Sequence, residues 1–144
     1  MKSSLLVLFC VFLLVLGCTK NQNQTGPTIK LKSNTGYVSN GNVFNAVLSY
    51  SQNSGNLSGD SLVILRRRYN LTPVPPDQVR DTFITTLPQT PNTSTAEFSA
   101  SLDWTIIQYG INGENDTCDF RFVLIDQKGN HSDTVTTGKV IILQ

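Results

Sequence analysis

The densest run of ionisable groups in the chain is Arg66-Arg67-Arg68-Tyr69. In an extended strand successive side chains alternate faces, so Arg66 and Arg68 share one side while Arg67 joins Tyr69 on the other. A planar guanidinium fork grips carboxylate or phosphate bidentately, so this run suits capture of the anionic groups of a polysaccharide. The same run also suits a solvated strand end whose aliphatic stems cover the rim of a sheet. Trp104, with Tyr109 and Tyr69, offers an aromatic platform for sugar rings, yet Trp104 keeps the alternation of Phe98, Ala100 and Leu102 and so also fits a core. His131 is the lone histidine, just past a turn, with no nucleophile motif beside it. Glu114, Asp116 and Asp119, and separately Asp126 and Asp133, are the closest acidic pairings. In a β scaffold such residues fall at strand ends and turns, where Asp caps loops, rather than flanking a glycosidase cleft. Glu114, Asn115 and Asp116 lack the spacing of a calcium loop. No catalytic residue and no metal ligand is expected, and the chain does not read as an enzyme.

What must position these groups follows from the composition. The chain has 144 residues, with 11 Lys or Arg against 10 Asp or Glu and a formal net charge of +1, which argues against a nucleic-acid binder. Charged residues make up 15% and hydrophobic ones 39%. The remainder is rich in Ser, Thr, Asn, Gln and Gly, a balance that suits an exported β-rich domain.

The amino terminus carries the sharpest motif. Lys2 precedes an apolar run from Leu5 through Leu16, too short for a membrane-spanning helix of about 20 residues. A polar stretch follows Gly17-Cys18, which is the anatomy of a cleaved signal peptide. Val15-Leu16-Gly17-Cys18 resembles the lipobox of bacterial lipoproteins. The resemblance implies cleavage after Gly17 and a first mature residue Cys18 that carries thioether-linked diacylglycerol and an acylated amino group. Several acyl chains anchor stably where one is marginal. With Thr19 rather than Asp next, the resemblance also implies an outer-membrane address, with either side of that membrane open. No cofactor beyond this covalent lipid is expected.

Residues 18–27 then read as the lipidated cysteine and a polar tether, TKNQNQTGP, and residues 28–144 as one domain. Without residues 1–17 the chain holds ten basic and ten acidic residues. Cys10 leaves with the signal and Cys18 takes lipid, so Cys118 is alone and no internal disulfide can form. It is expected as a small buried apolar residue. Asn-x-Ser/Thr triplets include those beginning at Asn56, Asn70, Asn92, Asn115 and Asn130, and in a bacterial lipoprotein they are compositional. Asp60-Ser61-Leu62 and Asp133-Thr134-Val135 resemble an O-glycosylation sequon of some Gram-negative envelopes.

From Pro27 onward, period-two alternation recurs between turn residues. Strands are expected around Ile29–Leu31, Phe44–Tyr50, Leu62–Leu65, Thr82–Leu87, Phe98–Trp104, Cys118–Ile125 and Thr134–Leu143, with Gly138 as a bulge in the last. Leu62–Leu65 suits a central strand buried on both faces. A helical turn or strand end is expected around Ile106, Ile107 and Tyr109, and Pro73, Pro75 and Pro76 belong to a connection. Seven strands without an amphipathic helix predict an all-β, antiparallel two-sheet sandwich. The run from Phe122 through Asp126-Gln127-Lys128-Gly129-Asn130 to Ser132, leading into a closing strand, resembles the end of bacterial immunoglobulin-like and fibronectin-III-like surface modules. Such a resemblance implies a binding, spacing or assembling role. The expected function is a non-enzymatic adhesion module for a glycan or surface ligand, with Arg66, Arg68, Tyr69 and Trp104 as its candidate contacts. The alternative is a structural subunit or partner of a larger envelope assembly. An unpaired apolar edge strand would favour the second, and a long aromatic, Arg-rich face the first.

Overall fold

The computed structural model describes residues 26–51, 57–69, 73, 75–78, 80–88, 95–111 and 113–144. The expected signal segment, Gly17, Cys18, nearly all of the expected tether and the triplets at Asn56, Asn70 and Asn92 lie outside the described residues.

Nine strands and one short helix follow in order: β1 (Thr28–Asn34), β2 (Tyr37–Ser39), β3 (Val43–Ser51), β4 (Ser61–Arg68), β5 (Thr82–Thr86), β6 (Thr95–Asp103), α1 (Trp104–Ile107), β7 (Asp116–Ile125), β8 (Val135–Thr136) and β9 (Val140–Leu143). A 3-10 turn spans Pro76–Gln78. One sheet has the order β1-β3-β6 and the other β2-β9-β7-β4-β5, with β8 beside β7. The chain switches sheets between β1 and β2, and β5 extends the second sheet as an extra edge strand. This is an immunoglobulin-like sandwich.

Alternation produces the packing. Phe44, Ala46, Leu48 and Tyr50 of β3 are buried, as are Cys118, Phe120, Phe122 and Leu124 of β7. Phe44 and Phe120 join the two sheets by stacking at 4.1 Å between ring centroids. Trp104 and Ile107 close one end of this core. At the other end Asp126 builds the expected turn: its Oδ1 accepts from the Lys128 and Asn130 amides at 2.9 and 2.8 Å, and Gly129 takes φ +82°.

Four expectations change. Nine strands replace seven, one because the last expected strand divides in two and one because period-two analysis is too coarse to find the three-residue β2. It runs parallel to β9, so the sandwich is not wholly antiparallel. The single strand expected over Thr134–Leu143 is divided at Thr137–Lys139, where Thr137 Oγ1 accepts the Phe120 amide at 3.0 Å in place of a ladder carbonyl. Leu62 and Ile64 are buried but Val63 and Leu65 are only half-buried, because nothing described covers the outer face of β4. β6 ends at Asp103, and Trp104 opens α1 rather than finishing the strand.

Cys118 is fully buried, and burial pushes its thiol up from about 9 to about 12. A raised folded pKa gives stability that is complete below pH ~9 and is lost as pH rises towards ~12, at about 1 kcal/mol per pH unit in between. Thermal melts of the wild type and Cys118→Ala should therefore converge between about pH 8 and pH 11. A constant gap would show that the thiol ionises as easily folded as unfolded.

Candidate functional site

On the inward face of β4 the series Leu62, Ile64, Arg66 runs from core to charge. Arg66 is 5% exposed. Its Nε donates to Asp81 Oδ1 at 2.8 Å, one terminal nitrogen to the Ile107 carbonyl at 2.6 Å, and the other to the carbonyls of Arg80 at 2.9 Å and Tyr109 at 2.6 Å. Those of Ile107 and Tyr109 belong to the last turn of α1 and the residues after it, where no further helical N–H is present to receive them. Arg68 extends the same cluster, donating to Gly110 O at 2.9 Å and to Asp81 Oδ2 at 3.4 Å. Gly110 is required there: its φ is +78°, and a Cβ would stand 3.0 Å from Arg68 Nη1.

This arrangement corrects the expectation for Arg66 and Arg68. They are neither a solvated strand end nor an anion-capturing fork, because their donors are turned inward onto carbonyls and Asp81. Trp104 is likewise buried in the core and presents no platform. Of the four candidate contacts, Tyr69 alone is exposed, with Arg68 half-buried.

Tyr69 belongs to a second cluster on the outer face of the larger sheet. Arg67 and Asp119 stand opposite one another in the β4–β7 register. Arg67 Nε donates to Asp119 Oδ2 at 2.9 Å, and the Tyr69 hydroxyl donates to the same oxygen at 2.6 Å. Arg121 Nε lies 3.6 Å from Asp119 Oδ1. The Arg67 guanidinium and the Lys139 ammonium lie 4.9 and 5.0 Å from the Tyr69 ring centroid. Sharing Asp119 raises the pKa of the Tyr69 phenol and of the Arg67 guanidinium. Two cations thus flank the Asp119 carboxylate, and a third rests on the Tyr69 ring bonded to it. Asp119, expected near the start of a strand, sits within β7, and its partner lies on the neighbouring strand.

Two further features adjoin this face. Val123, Val63 and Ile84 stand in register across β7, β4 and β5, forming an apolar row that ends at Ile84, 69% exposed. Around the edge of β5, a cleft of about 600 Å³ is lined by Arg80, Asp81, Thr82, Phe83, Ile106 and Tyr109. Arg80 stacks over the Tyr109 ring at 4.3 Å. The remaining acidic and imidazole groups do not converge: His131 and Glu114 are exposed, and Asp116 Oδ1 accepts its neighbour's amide, Thr117 N, at 2.6 Å. Among the described residues no group of three or more His, Cys, Asp or Glu is placed to hold a metal. Of the two Asp-led sequons, Thr134 is exposed whereas Ser61 is held in β4 between two partner strands.

Arg66→Met would leave three carbonyls without a donor and Asp81 with only its longer contact to Arg68, and should cost about 3–5 kcal/mol in urea unfolding. Lys32→Ala, which removes the exposed Lys32–Glu97 pair, should cost about 0–1 kcal/mol. Equal losses would show that the Arg66 cluster is not a special constraint. No family model and no curated protein matches the chain. Among solved structures it resembles a β-glucosidase from Listeria innocua in complex with glucose, at TM-score 0.43 and 10% identity, over 83% of this chain and 16% of that one. It also resembles a cohesin module from a Clostridium perfringens family 33 glycoside hydrolase, at TM-score 0.35 and 13% identity, over 83% of this chain and 98% of the module.

Proposed function

We propose that the chain is a lipid-anchored, non-enzymatic module of the bacterial envelope that assembles with a protein partner through its larger sheet. The observation that carries this reading is the apolar row Val123–Val63–Ile84, which runs across a sheet face that no described residue covers to an exposed edge. Uncovered apolar surface of this kind marks interaction sites. On the same face, Tyr37 and Ile141 are paired in register and are 64% and 47% exposed. The lipobox-like Val15–Cys18 supports an anchor on Cys18, with the polar residues after it spacing the domain from the lipid. Buried Arg66 and half-buried Arg68, both turned onto carbonyls and Asp81, weigh against a glycan contact through these two residues. A narrower form of the glycan reading is favoured by Arg67, Arg121 and Lys139 around Tyr69 and Asp119, which suits an acidic sugar.

Two experiments on whole cells test this. Labelled palmitate should enter the wild type and not Cys18→Ala. A photocrosslinking phenylalanine analogue at position 84 should give a discrete protein adduct, while one at position 99, on the outer face of the other sheet, should give none. Absence of an adduct at 84, together with retention on a uronic-acid polysaccharide that Arg121→Gln abolishes, would replace assembly with glycan binding.

A further inference from the structure

We infer that β5 is a docking edge: an extended segment of the protein partner pairs with it as an added strand and places one apolar side chain in the cleft beside Phe83. The inference rests on the assembly reading and names its mode and partner chemistry. Its first support is a contrast among the four sheet edges. β1 carries Lys30 and Lys32 and is interrupted by an irregularity between Leu31 and Ser33. β6 carries Glu97 and Asp103, and β2 is only three residues long. Charges, bulges and short strands are the devices that keep an edge from recruiting another strand. β5, Thr-Phe-Ile-Thr-Thr, has none of these, and every one of its residues is exposed or half-exposed.

The second support is the cleft. Its volume of about 600 Å³ lies within the usual range for binding cavities, roughly 300–1,000 Å³. Phe83, Ile106 and Tyr109 make its wall apolar. Phe83 pairs in register with the buried Ile64, so it faces inward. An added strand would run past the cleft mouth with its own alternate side chains facing the same way, and one of them would enter. Strand addition gains affinity from main-chain hydrogen bonds and specificity from such side-chain pockets.

Charge sets the partner's composition. Asp81 is occupied by Arg66 and Arg68. Arg80 is exposed, rests on Tyr109 and forms no ion pair among the described residues, so it offers a cation at one end of the added strand. The segment that fits is therefore extended and apolar at alternate positions, with an acidic residue at the Arg80 end. A second copy of this chain fits less well. Antiparallel self-pairing centred on Ile84 would set Thr85 of the other copy opposite Phe83 and Pro88 of the other copy opposite Arg80, leaving cleft and cation unfilled.

The test uses the full-length protein in lipid nanodiscs and a fluorescent blocked peptide of alternating threonine and valine, with a central phenylalanine and one terminal aspartate. Binding should saturate. Replacing the phenylalanine by alanine should weaken it about tenfold or more. Methylating alternate amides in one phase should abolish binding while the other phase leaves it intact, since only one edge of the peptide faces β5. Arg80→Glu should reverse the preference, favouring a lysine-ended peptide over the aspartate-ended one, a gain that misfolding cannot mimic. Equal binding of both methylation phases, an unchanged preference in Arg80→Glu, or a dimer of the chain that excludes the peptide would overturn the inference. An adduct at position 84 without peptide binding would overturn strand addition alone and leave assembly standing.

Discussion

The buried guanidinium of Arg66 is the constraint on which this end of the sandwich depends. A cation removed from water is tolerated only if its donors are met, and here a carboxylate and three main-chain carbonyls meet them. The four acceptors come from two separate stretches of chain. Asp81 and Arg80 lead into β5, while Ile107 and Tyr109 belong to α1 and the turn beyond it. One side chain therefore fixes the start of an edge strand and the cap over the core.

That fixation shapes the surface. Asp81 is drawn inward, so Arg80 is left outside against Tyr109, and the cleft forms between β5 and the α1 turn. The other side of β4 behaves in the opposite way. Arg67 and Tyr69 project outward and meet Asp119 across the strand, close to the apolar row. Alternation along one strand thus divides a single charge run into an internal clamp and an external cluster.

Much of the fold was legible because burial on one face of a strand writes itself as period-two hydrophobicity. Phe44 to Tyr50 and Cys118 to Leu124 show this, and Asp126 to Asn130 announced its turn through side-chain chemistry. What was not legible has a physical cause. Arg66 lies in phase with the inward-facing Leu62 and Ile64, but Leu62–Leu65 is apolar throughout and marks no inward face, and the acceptors of Arg66 are 14 to 43 residues away in sequence. Main-chain carbonyls carry no residue-type signal. The role of Asp119 was hidden for a related reason, since its partner Arg67 lies on the neighbouring strand. The three residues of β2 are too few for periodicity, and the parallel pairing that gives them a place is decided by the position of β9.

Native-state hydrogen exchange of wild type and Arg66→Lys is the most direct measurement of the central claim. Lysine keeps the charge but lacks the fork needed to reach four acceptors. Protection should fall together at Thr82–Thr86 and Gln108–Ile111 while the β1–β3 pair keeps its own, because those two segments share the Arg66 clamp. Unchanged protection at both segments, or a uniform loss across both sheets, would contradict it.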